Sequence, residues 1–388
     1  MRHLFCLRQE FHCYNTDTSG VVDMSKTIKK VVITGGPCAG KTTALSWIHN
    51  AFSKIGFKVL FVPETATELI TGGVAPWTCG TNFDYQVGQM RLQYEKEQIF
   101  LNAAKTMPED RILIICDRGM IDNRAYMTGD EFQRILAMMG LNEVEVRDSY
   151  DAVFHLVTAA KGAESFYTTE NNEARIESVD RAIELDNAIV AAWTGHPHLR
   201  VIDNTTDFNE KLKRLISEMT SVLGGILPFE IKRKFVIEYP DIEWLESLDN
   251  CCRVEINQTY LITPEGEELR LRQRGEKGHY SYYMTSKRQV SPSKIIQVEE
   301  RLTQNQYLDL LMEADPSKRP IRKTRYCLTY DSQYFEIDIY PFWHDQAILE
   351  IELQEEDEEI RFPKEFKILK EVTGDPAYKN STLASMRL

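Results

Sequence analysis

Short apolar runs, separated by longer stretches of mixed polar and apolar residues, mark the first half of the chain. The runs have the length and composition of β-strands, and the stretches between them are long enough for helices. Alternation of strand and helix predicts a parallel sheet with helices on both faces. The predicted strands are Lys30–Thr34, Val59–Val62, Ile112–Cys116, Ala152–Val157 and Leu199–Ile202.

The clearest predicted helix begins after Asp207. Asp207 and Glu210 resemble a capping box at its start, and Gly224-Gly225 would end it. Its apolar positions recur with the 3.6-residue period of a helix that packs on a core. They are Phe208, Leu212, Leu215, Ile216, Met219, Val222 and Leu223.

The hydrophobic pattern changes after Gly224–Pro228. Apolar residues then recur at every second position, with turn residues at Pro264–Gly266 and Gly275–Gly278. This pattern predicts an antiparallel sheet or barrel with a few short helices. We therefore expect a flexible extension over residues 1–25, a first domain over 26–224 and a second domain over 229–388.

Charged residues share one face of several predicted strands in the second domain, opposite an apolar face. A charged face is usually the solvated one. A closed barrel could instead line its interior with both signs of charge, which is costly unless an ionic ligand or water fills it. The charged sets are Glu230 with Lys232 and Lys234, Arg270 with Arg272 and Arg274, Lys323 with Arg325, Glu336 with Asp338, and Glu350 with Glu352.

Composition narrows the class of protein. The apolar fraction of 43% supports real cores, and no apolar run approaches the ~18 residues that cross a bilayer. The start of the chain does not resemble a signal peptide. Eight scattered cysteines without a C-x-x-C pair are typical of reduced thiols in the cytoplasm. A net charge of −13 disfavours general nucleic-acid binding.

The first predicted strand leads into a complete G-x-x-x-x-G-K-[ST] motif, and a helical segment starting at Thr43 follows. In this context the motif forms a phosphate-binding loop, or P-loop, whose backbone N–H groups point at phosphate oxygens. Lys41 would reach the β- and γ-phosphates, and the Thr42 hydroxyl would ligate Mg²⁺. The predicted nucleotide-binding residues here are the motif residues Gly35, Gly36, Pro37, Cys38, Ala39, Gly40, Lys41 and Thr42, together with Thr43.

Two further predicted strands end in a carboxylate. Asp117 would sit beside the Mg²⁺. Its neighbour Arg118 could contact phosphate or form a salt bridge, and the sequence leaves both open. Glu64 is either the base for an acceptor hydroxyl, as in small-molecule kinases of this architecture, or an acid at a helix N-terminus.

The remaining nucleotide-site candidates are less specific. Arg175 and Arg181 lie where P-loop kinases carry a lid, although surface salt bridges are an equal alternative. No N-K-x-D guanine signature occurs in the chain. Asp203, at the end of the last strand, is a candidate acceptor for guanine N–H groups. Trp193 could stack on a base, but core packing is the favoured interpretation.

These residues resemble known families. The first half is similar to the P-loop domain of NadR-type ribosylnicotinamide kinases and of the TRPL translocation defect family. The second half is similar to a CYTH, or triphosphate-tunnel, domain. The resemblance implies an α/β P-loop domain followed by an α+β antiparallel tunnel barrel. The combination implies a GTP- and phospholipid-binding protein of membrane-protein trafficking, cytoplasmic and peripherally attached to membranes.

The tunnel match has one departure. The family opens with Glu-x-Glu-x-Lys, whereas Glu230-Ile231-Lys232-Arg233-Lys234 carries lysine in place of the second glutamate. We expect this change to weaken metal binding and to favour an anionic headgroup such as phosphatidic acid or a phosphoinositide. The basic candidates for headgroup binding are Lys232, Lys234, Arg270, Arg272, Lys287 and Arg325.

Two classes of function therefore stay open. One is a nucleotide-dependent binding protein that works at membranes, with a membrane-protein cargo and at most slow nucleotide hydrolysis. The other is an enzyme, either a small-molecule kinase or a Mg²⁺-dependent tunnel triphosphatase. Both would use the same P-loop or the same charged barrel.

Overall fold

The computed structural model describes residues 26–163, 178–223, 231–264, 267–291, 294–353 and 358–385. Residues 1–25, Arg175 and Glu230, for which the sequence made predictions, lie outside these ranges. Among the described residues, the strands are β1 Thr27–Gly35, β2 Lys58–Val62, β3 Arg111–Asp117, β4 Ala152–Leu156, β5 Leu199–Ile202, β6 Ile231–Glu238, β7 Cys251–Tyr260, β8 Glu267–Glu276, β9 His279–Ser291, β10 Lys294–Leu302, β11 Ile321–Tyr330, β12 Gln333–Ile339, β13 Gln346–Leu353 and β14 Ile368–Glu371.

Helices connect these strands. In the same ranges they are α1 Lys41–Lys54, α2 Thr65–Thr71, α3 Asn82–Thr106, α4 Gly129–Met138, α5 Glu143–Arg147, α6 Val179–Trp193, α7 Phe208–Val222, α8 Ile242–Ser247, α9 Gln304–Leu310 and α10 Asn380–Ser385. Three further segments are 3₁₀-helical, namely Met120–Tyr126, Leu311–Glu313 and Pro376–Tyr378.

The first five strands form one parallel sheet in the order β2-β3-β1-β4-β5. All five predicted strands are present, and β1 lies at the centre between β3 and β4. Two apolar cores cover the sheet, one containing Trp193 and the other containing Phe52 and Phe154. The prediction of a parallel α/β domain is confirmed.

Helix α7 follows the predicted helix, with one difference. Asp207 caps it by accepting hydrogen bonds from the N–H groups of Asn209 and Glu210. Leu212, Leu215 and Met219 are buried as expected. Phe208, however, is 42% exposed because it lies in the first turn, where the helix leaves the core and reaches the P-loop.

The remaining strands form a nine-stranded sheet in the order β10-β9-β8-β7-β11-β12-β13-β6-β14. Each neighbouring pair is antiparallel, as the period-two pattern predicted. The β8–β9 hairpin turns at Lys277 and Gly278, which both have positive φ angles, 51° and 87°. Two such residues are typical of a type I′ hairpin.

The apolar face of this sheet is covered. Phe335, Ile337, Leu349 and Ile351 pack under α8 and the segment around Phe366. The charged face is also buried, since the side chains that point from it include those of Lys323, Arg325, Asp338 and Glu350. The interpretation that places these charges inside is therefore correct, and the solvated-face interpretation is wrong for these strands. The described strands form an open sheet that ends at β10 and β14 rather than a closed barrel.

The sheet is strongly curved. In a flat sheet, β10 and β13 would lie six strand spacings apart, or about 29 Å. Yet His198 Nε2 lies 3.5 Å from Glu299 of β10, and Arg200 forms an ion pair with Glu352 of β13. Residues 198 and 200 are separated by less than about 7 Å along the backbone. Strands β10 and β13 therefore approach the same segment of the first domain from two sides of the curved sheet.

A buried cluster of charges joins the two domains. Asp148, 2% exposed, accepts hydrogen bonds from Arg147 Nε and from Arg274 Nη1 of β8, each at 2.9 Å. Arg274 Nη2 also donates to the Gly195 carbonyl at 2.7 Å, and Arg301 donates to the Asp148 carbonyl at 2.8 Å. Burial would raise the pKa of Asp148, but the two guanidinium charges hold that pKa well below its usual range.

Strand β5, at the edge of the parallel sheet, packs against β12 of the second domain. Tyr334 Oη donates to the His196 carbonyl at 3.1 Å, and the Thr194 and Thr329 hydroxyls lie 3.0 Å apart. The domains thus share an extended contact.

Of the helices that the structure describes, none combines the length and apolar character of a membrane span. None of the six cysteines within the described ranges forms a disulfide bond.

Candidate functional site

The P-loop lies between the end of β1 and the start of α1, the context that the motif requires. Gly35 has φ 143°, and a Cβ there would lie 2.0 Å from the Leu156 carbonyl oxygen. Gly40 has φ 87°, and a Cβ there would lie 2.5 Å from the ring of Phe208. Both positions therefore require glycine.

Residues that the sequence analysis missed hold the loop in shape. Asp186 of α6 accepts hydrogen bonds from the Gly36 N–H at 2.9 Å and from Lys161 Nζ at 2.7 Å. Thr158 Oγ1 donates to the Pro37 carbonyl at 2.5 Å. Burial opposes ionisation of Asp186, but the neighbouring His155 and Lys161 outweigh it and hold its pKa below the usual range. No sequence motif marks these residues, because their roles depend on tertiary contacts.

Lys41 points into a group of charges rather than into solvent. Burial, followed by the charge of Arg118, lowers the pKa of Lys41 to about 8. Its Nζ lies 3.4 Å from the Gly35 carbonyl. A triphosphate placed on the loop would stabilise the ammonium form, which burial disfavours.

Asp117 and Thr42 fit a divalent metal. Asp117 Oδ1 is buried and has no hydrogen-bond partner, and burial is the main reason that its pKa is raised. Thr42 is exposed at the start of α1. These are the oxygen ligands that Mg²⁺ takes beside phosphate oxygens. Across the described ranges, no group of three or more His, Cys, Asp or Glu side chains is arranged to hold a metal alone, so phosphate oxygens would complete the shell.

Glu64 and Arg118 form a salt bridge beside the loop, with Nε and Oε1 2.5 Å apart. Glu64 occupies the N-cap position of α2, but its side chain makes no capping hydrogen bond. It accepts one from Thr67 at 2.8 Å instead. Burial opposes ionisation, yet the charges of Arg118 and Lys41 lower the pKa of Glu64 to about 2.

Arg118 has a strained backbone, with φ 68°. Its Nη1 is buried, makes no hydrogen bond, and lies 3.7 Å from Asp122. Asp122 in turn pairs with the Thr34 hydroxyl and accepts from the Gly119 N–H at 2.6 Å. Arg118 is thus held by carboxylates and keeps one donor available.

Beyond Glu64, α3 presents further unsatisfied polar atoms. Tyr85 Oη, Gln86 Oε1 and Gln89 Oε1 are buried without a hydrogen-bond partner, as is Thr65 Oγ1 at the start of α2. Buried polar atoms are normally paired, so this group points to a polar ligand beside Glu64. The sequence analysis missed them, since glutamines on a helix carry no local signal.

The other candidates for nucleotide binding lie as follows. Arg181 is exposed and pairs with Glu184 at 2.9 Å, and Trp193 is fully buried in the core. Asp203 is already engaged, because it accepts hydrogen bonds from Thr205 Oγ1 at 2.6 Å and from Arg214 at 2.9 Å. These hydrogen bonds lower its pKa despite burial.

The curved sheet carries a second cluster of charges. Arg325 contacts three carboxylates, Asp338 at 2.7 Å, Glu336 at 2.5 Å and Glu350 at 3.6 Å. The other cation–carboxylate pairs are Lys323 with Asp338, Lys234 with Glu350, Lys232 with Glu352, and Arg272 with Glu299. Arg270 lies on the same face of β8 as Arg272, and its Nε is buried without a partner. The structure thus brings five of the six predicted basic residues together on one face of the sheet.

Lys287 lies farther along β9, opposite Glu268 of β8 and Gln297 of β10.

Burial opposes the charge of Glu350, but Lys234 and Arg325 hold its pKa well below the usual range. The carboxylates that a tunnel enzyme would offer to a metal are therefore already engaged by cations of this chain.

Comparisons with known proteins found similarity to a nucleotide-binding family and to a solved triphosphatase. Residues 30–211 match the family model described as an AAA domain. Two structures of the protein NE1496, one described as an inorganic triphosphatase, are each 32% identical to 41% of this chain. The chain covers 100% and 96% of them, with TM-scores of 0.30 and 0.29. The chain belongs to the NE1496 family. It combines a P-loop NTPase domain with a tunnel domain.

Two other solved structures have lower sequence identity to this chain. The Hippeastrum protein HpAC1, described as having a dominant triphosphatase activity, is 12% identical over 32% of this chain and 80% of its own, with a TM-score of 0.25. Thymidylate kinase from Ehrlichia chaffeensis is 13% identical over 50% of this chain and 98% of its own, with a TM-score of 0.34. Neither carries functional weight at these values. No curated protein matches the chain.

Proposed function

We propose that the chain binds GTP with Mg²⁺ at the P-loop and uses the bound nucleotide to regulate its tunnel domain. The observation that supports this most directly is the arrangement around Lys41. The Lys41 ammonium, whose pKa burial lowers, lies at the glycine loop together with an unpaired Asp117 oxygen and the exposed Thr42. A Mg²⁺–triphosphate supplies the missing partner of each of these groups.

The preference for guanine rests on the resemblance to the TRPL translocation defect proteins. Asp203 is the proposed acceptor for the guanine N–H groups. Its contact with Arg214 means that the base would have to share this carboxylate, which has two oxygens and room for several donors. Phe208 lies against Gly40 and leaves part of its ring exposed.

We expect GTP to bind at least about tenfold more tightly than ATP in the presence of Mg²⁺, a difference of ~1.4 kcal/mol. Calorimetry on the full chain with each nucleotide measures this directly. Asp203→Asn, which keeps the shape but changes one acceptor oxygen to a donor, should remove the preference. Equal affinities for GTP and ATP in the unmodified chain would contradict the guanine proposal and leave nucleotide binding intact.

A second candidate function is phosphoryl transfer to a small acceptor. The observation that favours it is the group of unpaired buried atoms on Thr65, Tyr85, Gln86 and Gln89 next to the Glu64–Arg118 salt bridge. Glu64 could accept the hydrogen bond of an acceptor hydroxyl, while Arg118 and Lys41 lie beside it. Phosphoryl transfer needs mainly positioning and charge, so a base with a low pKa would suffice.

Product analysis after incubation with Mg²⁺, GTP or ATP, and either ribosylnicotinamide or a nucleoside separates the candidates. We expect slow release of phosphate and no phosphorylated acceptor. Rapid acceptor phosphorylation that Glu64→Gln abolishes would establish the kinase instead. Glu68→Gln is the matched control, because Glu68 lies one turn along α2, is more exposed and pairs with Lys96 at 2.6 Å.

For the tunnel domain we propose binding of an anionic phospholipid headgroup, such as that of phosphatidic acid or a phosphoinositide. The supporting feature is the concentration of Lys232, Lys234, Arg270, Arg272 and Arg325 on one curved face. Such a site would attach the protein to the cytoplasmic surface of a membrane and fits a role in the trafficking of a membrane-protein cargo. A Mg²⁺-dependent triphosphatase is the alternative use of the same face.

A further inference from the structure

The charged face of the curved sheet is not lined by the tunnel domain alone. The segment before and within β5 carries His198 and Arg200, which belong to the P-loop domain. His198 Nε2 lies 3.5 Å from Glu299, and Arg200 forms an ion pair with Glu352 and contacts Glu218 at 3.1 Å. Both glutamates stand on the charged face of the curved sheet.

These contacts change the charge that a ligand would meet. Glu299 also pairs with Arg272, and Glu352 also pairs with Lys232 at 2.8 Å. Without the P-loop domain, each glutamate would cancel one cation of the predicted anion site. Arg200, which Glu218 also contacts at 3.1 Å, places a second cation beside Glu352, so Glu352 offsets less of the Lys232 charge than it would alone.

Unsatisfied donors on the same face point to a ligand. Tyr283 is 6% exposed, and its Oη is buried without a hydrogen-bond partner. It stands opposite Arg272 in the β8–β9 ladder, and the Arg272 guanidinium lies 5.7 Å from the centre of its ring. The Nε atoms of Arg270 and Arg272 are likewise buried and unpartnered. Hydroxyl and guanidinium donors are the groups that recognise phosphate oxygens.

We propose that the tunnel's phosphate site is composite, with Arg200 of the P-loop domain neutralising Glu352 and His198 contacting Glu299, so that the tunnel cations can bind a polyphosphate group. The ligand chemistry is a chain or cluster of phosphates, carried either by a lipid headgroup or by a free polyphosphate. This inference rests on the proposal that the tunnel binds a phosphate-rich anion.

The site also lies close to the proposed position of the guanine base. Arg200 is in β5, and the same strand leads directly to Asp203, the proposed partner of guanine. On the other side, Arg361 of the tunnel domain lies 3.8 Å from Asp203. One four-residue strand therefore links the two anion sites, so a shift of β5 on nucleotide binding would reach Arg200 directly.

The test uses the full chain carrying Lys41→Ala, so that the P-loop does not itself capture phosphate. In one arm, calorimetry measures the binding of inorganic triphosphate. In the other arm, co-sedimentation measures the binding of the protein to phosphatidylcholine vesicles with and without a phosphoinositide. The arm that shows binding identifies the source of the phosphate. We expect Arg200→Ala to weaken that binding roughly tenfold, the loss typical of one charge-assisted contact.

Matched variants make the result specific. Arg200→Lys should retain most of the affinity, and Arg200→Gln should lose as much as Arg200→Ala while keeping a polar side chain if the alanine variant folds poorly. Adding Glu352→Gln to Arg200→Ala should restore binding, because the carboxylate that needed neutralising is gone. Arg233→Ala, on the opposite face and paired with Glu371 at 2.6 Å, should change affinity by less than about twofold.

Different failures have different meanings. Unchanged binding in Arg200→Ala, an equal loss in Arg233→Ala, or no recovery with Glu352→Gln would overturn the composite site while the tunnel proposal stands. Absence of binding to both probes in the Lys41→Ala parent would overturn the tunnel proposal and the composite site together.

Discussion

Replacing Lys41 with alanine should abolish measurable binding of GTP while the protein stays folded. The ammonium would donate hydrogen bonds to two phosphates, and bonds to charged groups contribute about 1.5–3 kcal/mol each. The expected loss is therefore a factor of roughly one hundred or more. Removing the side chain costs the fold little, since burial already lowers the pKa of Lys41 to about 8 and disfavours its charge.

Calorimetry of Mg²⁺–GTP binding measures the effect, and circular dichroism checks the fold. Lys54→Ala is the matched control, because Lys54 stands at the far end of α1 and is exposed. It should bind GTP normally. A folded Lys41→Ala protein with unchanged affinity for GTP would remove the P-loop from the proposed function.

Replacing Asp148 with alanine should lower the free energy of unfolding by about 3–5 kcal/mol. The substitution leaves Arg147 and Arg274, which are 5% and 2% exposed, without the carboxylate between them. An uncompensated buried charge costs far more than an exposed one. Because Arg274 belongs to the tunnel domain, we expect the loss to separate the domains before either unfolds.

Chemical denaturation, followed by tryptophan fluorescence and by far-UV circular dichroism, measures this loss and the separation. Glu371→Ala breaks an exposed carboxylate–arginine pair on the same sheet and should cost less than about 1 kcal/mol. Equal stability of the Asp148→Ala and Glu371→Ala proteins would show that the buried cluster does not hold the domains together.

The strands of the first domain could be predicted because each is an apolar run bounded by polar residues. The residues at which the strands begin and end were harder to predict. Strand β1 begins at Thr27 rather than at Lys30, because residues 27–29 pair with residues 111–113 of β3. Lys30 itself is buried by an ion pair with Glu97, 67 residues away. Such a contact leaves no trace in the local pattern. The contacts between the domains were not predicted for the same reason.

The residues of the candidate site likewise divide into those that the sequence predicted and those that only the fold reveals. The P-loop, Asp117 and Glu64 could be found because each lies at the end of a strand, where parallel sheets collect functional residues. Asp186, Thr158 and the polar atoms of α3 were missed, since only the fold brings them to the loop. The alternation of charges predicted the basic residues of the tunnel and the carboxylates Glu336, Asp338, Glu350 and Glu352, but it did not reveal Glu299, which pairs with Arg272.

The packing of β12 on β5 has a consequence for folding during translation. Strand β5 is an edge of the parallel sheet, with backbone groups that could pair with another chain. Tyr334, which covers it, is synthesised about 130 residues later, a delay on the order of ten seconds during translation. Through that interval the newly folded first domain carries an open strand edge, and chaperone protection would matter most there.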